Sequence, residues 1–418
     1  IDIDIDIDMT TIGTGSHNNQ SSSSSSNEAD TKTENEIPRR PTRKSNKERH
    51  YPPIPLVKLT LQNISYSPVT TTYAEAPTNT PRNNSNSNSN KKTKKTIQRK
   101  TILNNISPPS IEPYKLQAWM GPSGSGKTTL LSIAAGVIEA SERDPDAFPN
   151  KNSKITLNQE ESINFLRPNH NTPTNAATKG NSSSSGCGRG RGRDFQNVKS
   201  TFPKGLIGVV WQDDLLLSNL TVRETIEFAA KLKTSTTQHY HNHNVVVQEL
   251  VDDILDDLSL TSVQHSLIGG QSSSSSSSSS SSLGARGISG GERKRVSVAQ
   301  ELVTRPSTIF LDEPTSGLDS TSALELMYTL KELALKGGHS IVTIVHQPRT
   351  TIFGLMDGLL LLSKGEEIYS GPASGAQRVL ESCPIVGYNL PPQTNVADWI
   401  IDVIRKDEER VNINSSNN

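Results

Sequence analysis

Gly121-Pro122-Ser123-Gly124-Ser125-Gly126-Lys127-Thr128 follows a short apolar run, Leu116 to Met120, and opens a helical pattern from Lys127 to about Val137. The octapeptide fits G-x-x-x-x-G-K-[ST] in the strand–loop–helix setting that a phosphate-binding loop requires. Gly121, Gly124 and Gly126 let backbone N–H groups converge on phosphate oxygens, with Ser123 in the same loop. The helix N-terminus adds the positive end of its dipole. Lys127 is placed to reach β- and γ-phosphates, and the Thr128 hydroxyl to ligate Mg²⁺, with Thr129 next in the nucleotide-binding set. A glycine-rich turn with an incidental lysine is the competing reading, and the flanking elements argue against it.

Working outward, Thr308-Ile309-Phe310-Leu311-Asp312-Glu313 reads as a buried strand ending in two carboxylates, stopped by Pro314. Downstream of a phosphate loop, Asp312 suits the magnesium-holding role and Glu313 suits orienting or deprotonating a water. Val57 to Leu61, Leu206 to Trp211 and Ser340 to Val345 read as further strands. Between them lie helical patterns. One is Val247, Leu250, Val251, Ile254, Leu255 and Leu258, with aspartates on the opposite, solvated face. Another runs from Thr321 to Leu335 and closes at Gly337-Gly338. Strands alternating with helices predict an α/β fold around a largely parallel sheet.

Composition bounds the rest. Of 418 residues, 32% are hydrophobic, and adding glycine brings the apolar share to about 39%, below the roughly 45–50% of ordinary globular chains. Segments 1–54, 76–96, 143–204 and 270–284 are polar and of low complexity and read as disordered, as does the tail 406–418. Lys+Arg and Asp+Glu both number 43, which excludes a globally basic nucleic-acid binder. Two cysteines, Cys187 and Cys383, exclude a disulfide framework and point to a reducing compartment. No apolar run approaches the ~18 residues that span a bilayer.

Arg286-Gly287-Ile288-Ser289-Gly290-Gly291-Glu292-Arg293-Lys294-Arg295 has Ser289 placed as a helix N-cap, followed by glycines that leave backbone N–H groups uncovered. A helix from Glu292 to about Val303 follows. This segment resembles the signature motif of ATP-binding cassette (ABC) ATPases. Other family motifs stand in order around it: Gln212 looks like the Q-loop glutamine, Ser316-Gly317-Leu318-Asp319 like the D-loop, and His346 like the switch histidine. Tyr66, at the end of the first strand, looks like the aromatic that stacks on adenine. Asn219 to Thr225, Asp312 to Asp319, His346-Gln347-Pro348-Arg349, Ile368 to Pro372 and Asn395-Val396-Ala397-Asp398-Trp399 narrow the resemblance to the G subfamily of ABC transporters. Val396 stands where that subfamily has proline. Glu112-Pro113-Tyr114-Lys115 stands where it has Pro-Gly-Glu.

The resemblance implies a P-loop NTPase core with a mixed, mainly parallel sheet, a β-subdomain, and an α-helical signature subdomain over about 213–303, all within a nucleotide-binding domain at 55–405. It implies ATP and Mg²⁺ as cofactors, with Thr128, Asp312 and Gln212 at the metal. Glu313 is the implied base, His346 steadies the γ-phosphate and Gln212 senses it. It implies a second nucleotide-binding domain as partner, so that Ser289, Gly290 and Gly291 of one copy meet the nucleotide on the other's Lys127 and Asp319 contacts across the dimer. Nucleic acid is not an expected partner. The chain begins at Ile1 rather than Met and reads as the cytosolic half of a half-transporter, with 406–418 leading toward a transmembrane domain that it lacks. The alternative is a soluble ABC-type ATPase acting on RNA or ribosomes, through the basic stretch near Lys91 to Lys100 and the Arg-Gly repeat at 189–193.

Overall fold

A computed structural model describes residues 53–74, 94–138, 144, 146–149, 153–158, 161–163, 202, 205–234, 243–269, 287–382 and 389–416. Five short strands come first: β1 (Leu59–Gln62), β2 (Ile64–Tyr66), β3 (Val69–Ala74), β4 (Lys94–Arg99) and β5 (Leu103–Ile106). Next, β6 (Leu116–Met120) enters the phosphate loop and α1 (Lys127–Ala134) leaves it. Then come β7 (Lys154–Leu157), β8 (Glu161–Ile163), β9 (Ile207–Val210), α2 (Val222–Thr234), α3 (His243–Asp257) and α4 (Gly290–Leu302). They are followed by β10 (Thr308–Asp312), α5 (Ser320–Gly337), β11 (Ser340–Ile344) and α6 (Thr350–Phe353). The last elements are β12 (Gly358–Ser363), β13 (Glu366–Pro372), α7 (Ala376–Ser382) and α8 (Val396–Ser416).

The central layer is a six-stranded sheet in the order β13-β12-β6-β11-β10-β9, parallel except for the antiparallel edge pair β12–β13. Its inner strands are buried along their whole length, which is why they read as unbroken apolar runs rather than alternating ones. Side chains divide by parity. Trp119, Phe310, Val342, Ile344, Leu360 and Leu362 share one core with α1 and the small strands. Leu116, Ala118, Met120, Ile309, Leu311 and Ile341 share the other with α2 to α5 and α8. On the first side lie β1, β2, β5 and β7; the small sheets β1-β7-β8, β2-β5 and β3-β4 are all antiparallel. On the second side α2, α3 and α4 pack through Val222, Ile226, Val251, Ile254 and Val296. The mixed sheet, β-subdomain and helical subdomain are those that the motifs imply.

Three boundaries differ from the sequence reading. Segment 143–204 contains β7, paired antiparallel with β1, and buries Ala147, Phe148 and Ile155. Three alternating residues amid Asn, Lys and Ser are too short a signal to stand out from a polar insert. Likewise β4 starts at Lys94, inside the segment ending at 96, because it pairs with β3. The tail is helical through Ser416. Residues 1–52, 75–93, 164–201 and 270–286 lie outside the described residues, and so does the Arg-Gly repeat. Tyr66 closes the second strand, not the first.

Candidate active site

Parallel strands present their C-terminal ends on one edge of the sheet, and all the central candidates sit there. The register aligns Trp119 with Ile344 and Ile344 with Asp312. The phosphate loop after β6, Asp312-Glu313 after β10, His346 after β11 and Gln212 after β9 therefore share that edge.

The loop needs its glycines. Gly121 has φ +149°, and a Cβ there would lie 2.1 Å from the Leu362 carbonyl oxygen; Gly126 has φ +101°, with Leu103 Cδ2 at 2.7 Å from a Cβ. Any other residue would push the loop off β12 or β5. Gly126 is also the N-cap of α1 and supplies no side chain, while the first turn of the helix contains no acidic residue. The first-turn N–H groups and the dipole are thus presented to an anion. Ser123 and Gly124 form the exposed rim, and Thr129 is half-buried behind Thr128.

Lys127 is buried, and its ammonium donates to the carbonyls of Gly121 at 2.9 Å and Pro122 at 2.8 Å, with Ser125 Oγ at 3.4 Å. Burial pushes its pKa below the ordinary lysine value, while the Glu313 and Asp312 carboxylates pull it back up. Across the loop, Thr128 Oγ1 donates to Asp312 Oδ1 at 3.3 Å. Burial raises the Asp312 pKa; the Thr128 hydrogen bond opposes this, and the neighbouring Glu313 charge adds to it. A nearby divalent cation would favour the ionised carboxylate. Thr128 and Asp312 offer the hard oxygen donors that suit Mg²⁺, which keeps waters and takes phosphate oxygens for its remaining positions. Among the described residues no group of three or more His, Cys, Asp or Glu forms a closed metal cage.

Glu313 adopts φ +47°, a sparsely populated conformation for a non-glycine residue, and its N–H donates to Ile344 O at 3.1 Å. That turn brings Glu313 Oε1 to 2.6 Å from His346 Nε2. The structure thereby joins two residues 33 positions apart that the motifs place separately.

Tyr66 is half-buried, its ring tilted 49° to Phe148 at 5.2 Å between centroids. Burial raises its pKa, and the Asp144 charge adds to that. The Tyr66 carbonyl accepts from Ile102 N, and Ile102 O lies 3.2 Å from where a Gly126 Cβ would stand, so the backbone at Ile102 lies between Tyr66 and the phosphate loop.

The remaining candidates lie apart from this constellation. Ser289 caps α4 in a full capping box: its Oγ accepts from Glu292 N at 3.2 Å, and its own N–H donates to Glu292 Oε2 at 2.7 Å. Ser289 and Gly290 are exposed, while Gly291 packs on α5, where a Cβ would meet Ser322 Cβ at 3.1 Å. Asp319 caps α5 by accepting from Thr321 N at 3.2 Å and Ser322 N at 3.1 Å. Hydrogen bonds from the side chain and amide of Ser322 hold its carboxyl below the usual aspartate pKa.

Sequence reasoning missed the contacts that fix these loops in place, although two of the residues, Lys294 and Asn395, stand inside quoted motifs. Lys294 donates to Gln212 O at 2.9 Å and pairs with Asp214 at 2.7 Å. Asn395 Nδ2 donates to Pro348 O at 2.8 Å, tying the start of α8 to the loop after His346. Asp357 accepts from Leu116 N at 2.8 Å and pairs with Lys331 at 2.6 Å. The available signal for Lys294 was a charged residue between Gly291 and Val298 on the packed face of α4.

The sequence model of the ABC transporter family matches residues 103–316. The chain belongs to the ABC transporter family. Within that family it resembles G-subfamily members, and the chain carries a G-subfamily nucleotide-binding domain. It is 35% identical over 318 residues to the broad substrate specificity ATP-binding cassette transporter ABCG2 of Sus scrofa, covering 76% of this chain and 38% of that protein. It is 37% identical over 321 residues to ABC transporter G family member 1 of Dictyostelium discoideum, covering 76% and 32%. With ABC transporter G family member 25 of Arabidopsis thaliana it shares 35% identity over 314 residues, covering 75% and 37%. The chain thus spans about a third of the length of these relatives. Among the described residues no helix is long and apolar enough to cross a membrane.

Proposed function

We propose that the chain binds ATP with Mg²⁺, hydrolyses it, and powers movement of a substrate across a membrane from the cytosolic face of a G-subfamily transporter. The observation that carries this reading is the convergence on one sheet edge of Lys127, the Thr128–Asp312 pair and the Glu313–His346 pair. Lys127 and the first turn of α1 hold the β- and γ-phosphates. Thr128 and Asp312, with Gln212, hold the metal, which supplies charge neutralisation at the phosphates. Glu313 takes the proton of the attacking water, and its bond to His346 keeps it aimed at the γ-phosphate position. Tyr66 stacks on the adenine.

The sites are completed by a second nucleotide-binding domain. Ser289 and Gly290 are exposed in their own chain. In a head-to-tail pair they close over the nucleotide on the partner's Lys127, with Gly291 behind them, and Asp319 lies at the contact. Leu215 and Leu217 are exposed just beyond Gln212.

The test is steady-state ATP hydrolysis by the purified chain at high concentration. Glu313→Gln lowers kcat by about 10²-fold or more, the usual contribution of a positioned base, and retains ATP binding. Lys127→Ala abolishes both. Full hydrolysis by Glu313→Gln would exclude Glu313 as the base.

A further inference from the structure

Lys294 lies in the signature helix α4, four residues past Gly290, and is 3% exposed. Its ammonium donates to the backbone carbonyls of Gln212 at 2.9 Å and Trp211 at 3.4 Å, and pairs with Asp214 Oδ1 at 2.7 Å. Asp214 also accepts from Ser297 Oγ, one turn further along α4, at 2.8 Å. The loop that leaves β9 is thus fastened to α4 by a buried cation, a carboxylate and a hydroxyl. Gln212 itself is exposed, in the loop that leaves β9 at the sheet edge shared with the phosphate loop.

An ion pair serving only stability needs a carboxylate partner. Here the lysine also binds two consecutive peptide carbonyls, so it fixes the path of the loop as well as neutralising a charge. At its N-terminus the same helix is capped by Ser289, in the segment that serves the opposite site of the dimer. A displacement of Gln212 therefore has a short, rigid route to the signature.

We propose that Lys294 is a positioning residue that couples Gln212, at one nucleotide site, to the signature segment that completes the other. This inference rests on the sandwich reading given above. A γ-phosphate that draws Gln212 inward carries Trp211 to Asp214 with it. Lys294 passes that motion to α4, so each site closes only when its neighbour is occupied.

The test compares Lys294→Met, Asp214→Asn and the double variant with the unaltered 418-residue chain, by thermal unfolding and ATPase kinetics. Lys294→Met lowers kcat about tenfold, within the range of ordinary coupling free energies, and leaves KM for ATP within about twofold because the phosphate loop is untouched. It also lowers Tm, since a buried carboxylate has lost its partner. The double variant removes both charges and recovers Tm while kcat stays low. Recovery of kcat together with Tm would reduce Lys294 to a structural ion pair and overturn the proposal, as would an unchanged kcat in Lys294→Met. Absence of hydrolysis by the unaltered chain is a different result: it overturns the proposed ATPase function, and this inference with it.

Discussion

At the scale of single residues, chemistry follows from where a charge or a proton is held. His339 shows this away from the site. It is 3% exposed, and Nδ1–H donates to Pro306 O at 2.7 Å. Burial pushes its pKa from 6.5 down to about 4, with the Pro306 bond opposing and the Arg305 charge adding. The folded chain thus keeps His339 neutral while the unfolded chain protonates it. Stability is present above pH 6.5 and is lost as pH falls from about 6.5 to about 4, by about 3 kcal/mol in all. Urea titrations at several pH values check this, because in His339→Phe the slope of stability against pH shrinks by about 1.4 kcal/mol per unit in that window. An unaltered slope would mean that another group titrates there. Residues of this kind are hard to read from sequence. The grouping of Lys127, Asp312 and Glu313 at one sheet edge was legible because fixed motif spacing marks it. Lys294 and His339 were not, because their partners lie 82 and 33 positions away and only folding brings them together.

At the scale of elements, the inner strands and the phosphate-loop helix were legible from apolar runs, glycines and capping residues. Ser289 was read as an N-cap, and it is one, with Glu292 completing the box. The end of the chain was not legible. Residues 406–416 carry the composition of a solvated tail, yet they extend α8. The reason lies upstream: Ala397, Trp399, Ile400, Ile401, Val403 and Ile404 are buried against α6 and α7, so a helix nucleated by packing continues through its polar end. Ser363 donates to Glu408, and Lys364 lies over the Glu408 carbonyl, so the sheet end of β12 holds that extension. Trp399→Ala removes the largest side chain of this face and costs about 3–5 kcal/mol. Chemical denaturation measures it, and a loss under about 1 kcal/mol would show that α8 is not part of the folded core. The strand β7 escaped notice for a related reason: Ile155 and Leu157 are only two apolar positions, and pairing with β1 sets their conformation more than local propensity does.

At the scale of the whole molecule, on the proposed function, the parallel sheet gathers one half of a reaction centre and leaves the other half facing outward. Lys127, Asp312, Glu313 and His346 stand together, while Ser289 and Asp319 stand apart from them as helix caps. This division was legible in the order of the motifs, since each motif occurs once. Under the proposed function, a chain with one phosphate loop and one signature completes two sites only by pairing with a second domain. The insert around 164–201 and the serine run at 272–282 fall between elements and leave every motif in place. Sedimentation velocity of Glu313→Gln, with and without ATP and Mg²⁺, tests this account most directly. On the proposed function the variant binds ATP and cleaves it about 10²-fold more slowly, so a monomer becomes a dimer when ATP is added and returns to monomer with ADP. A monomer under both conditions, at a concentration where ATP binding is saturated, would contradict it.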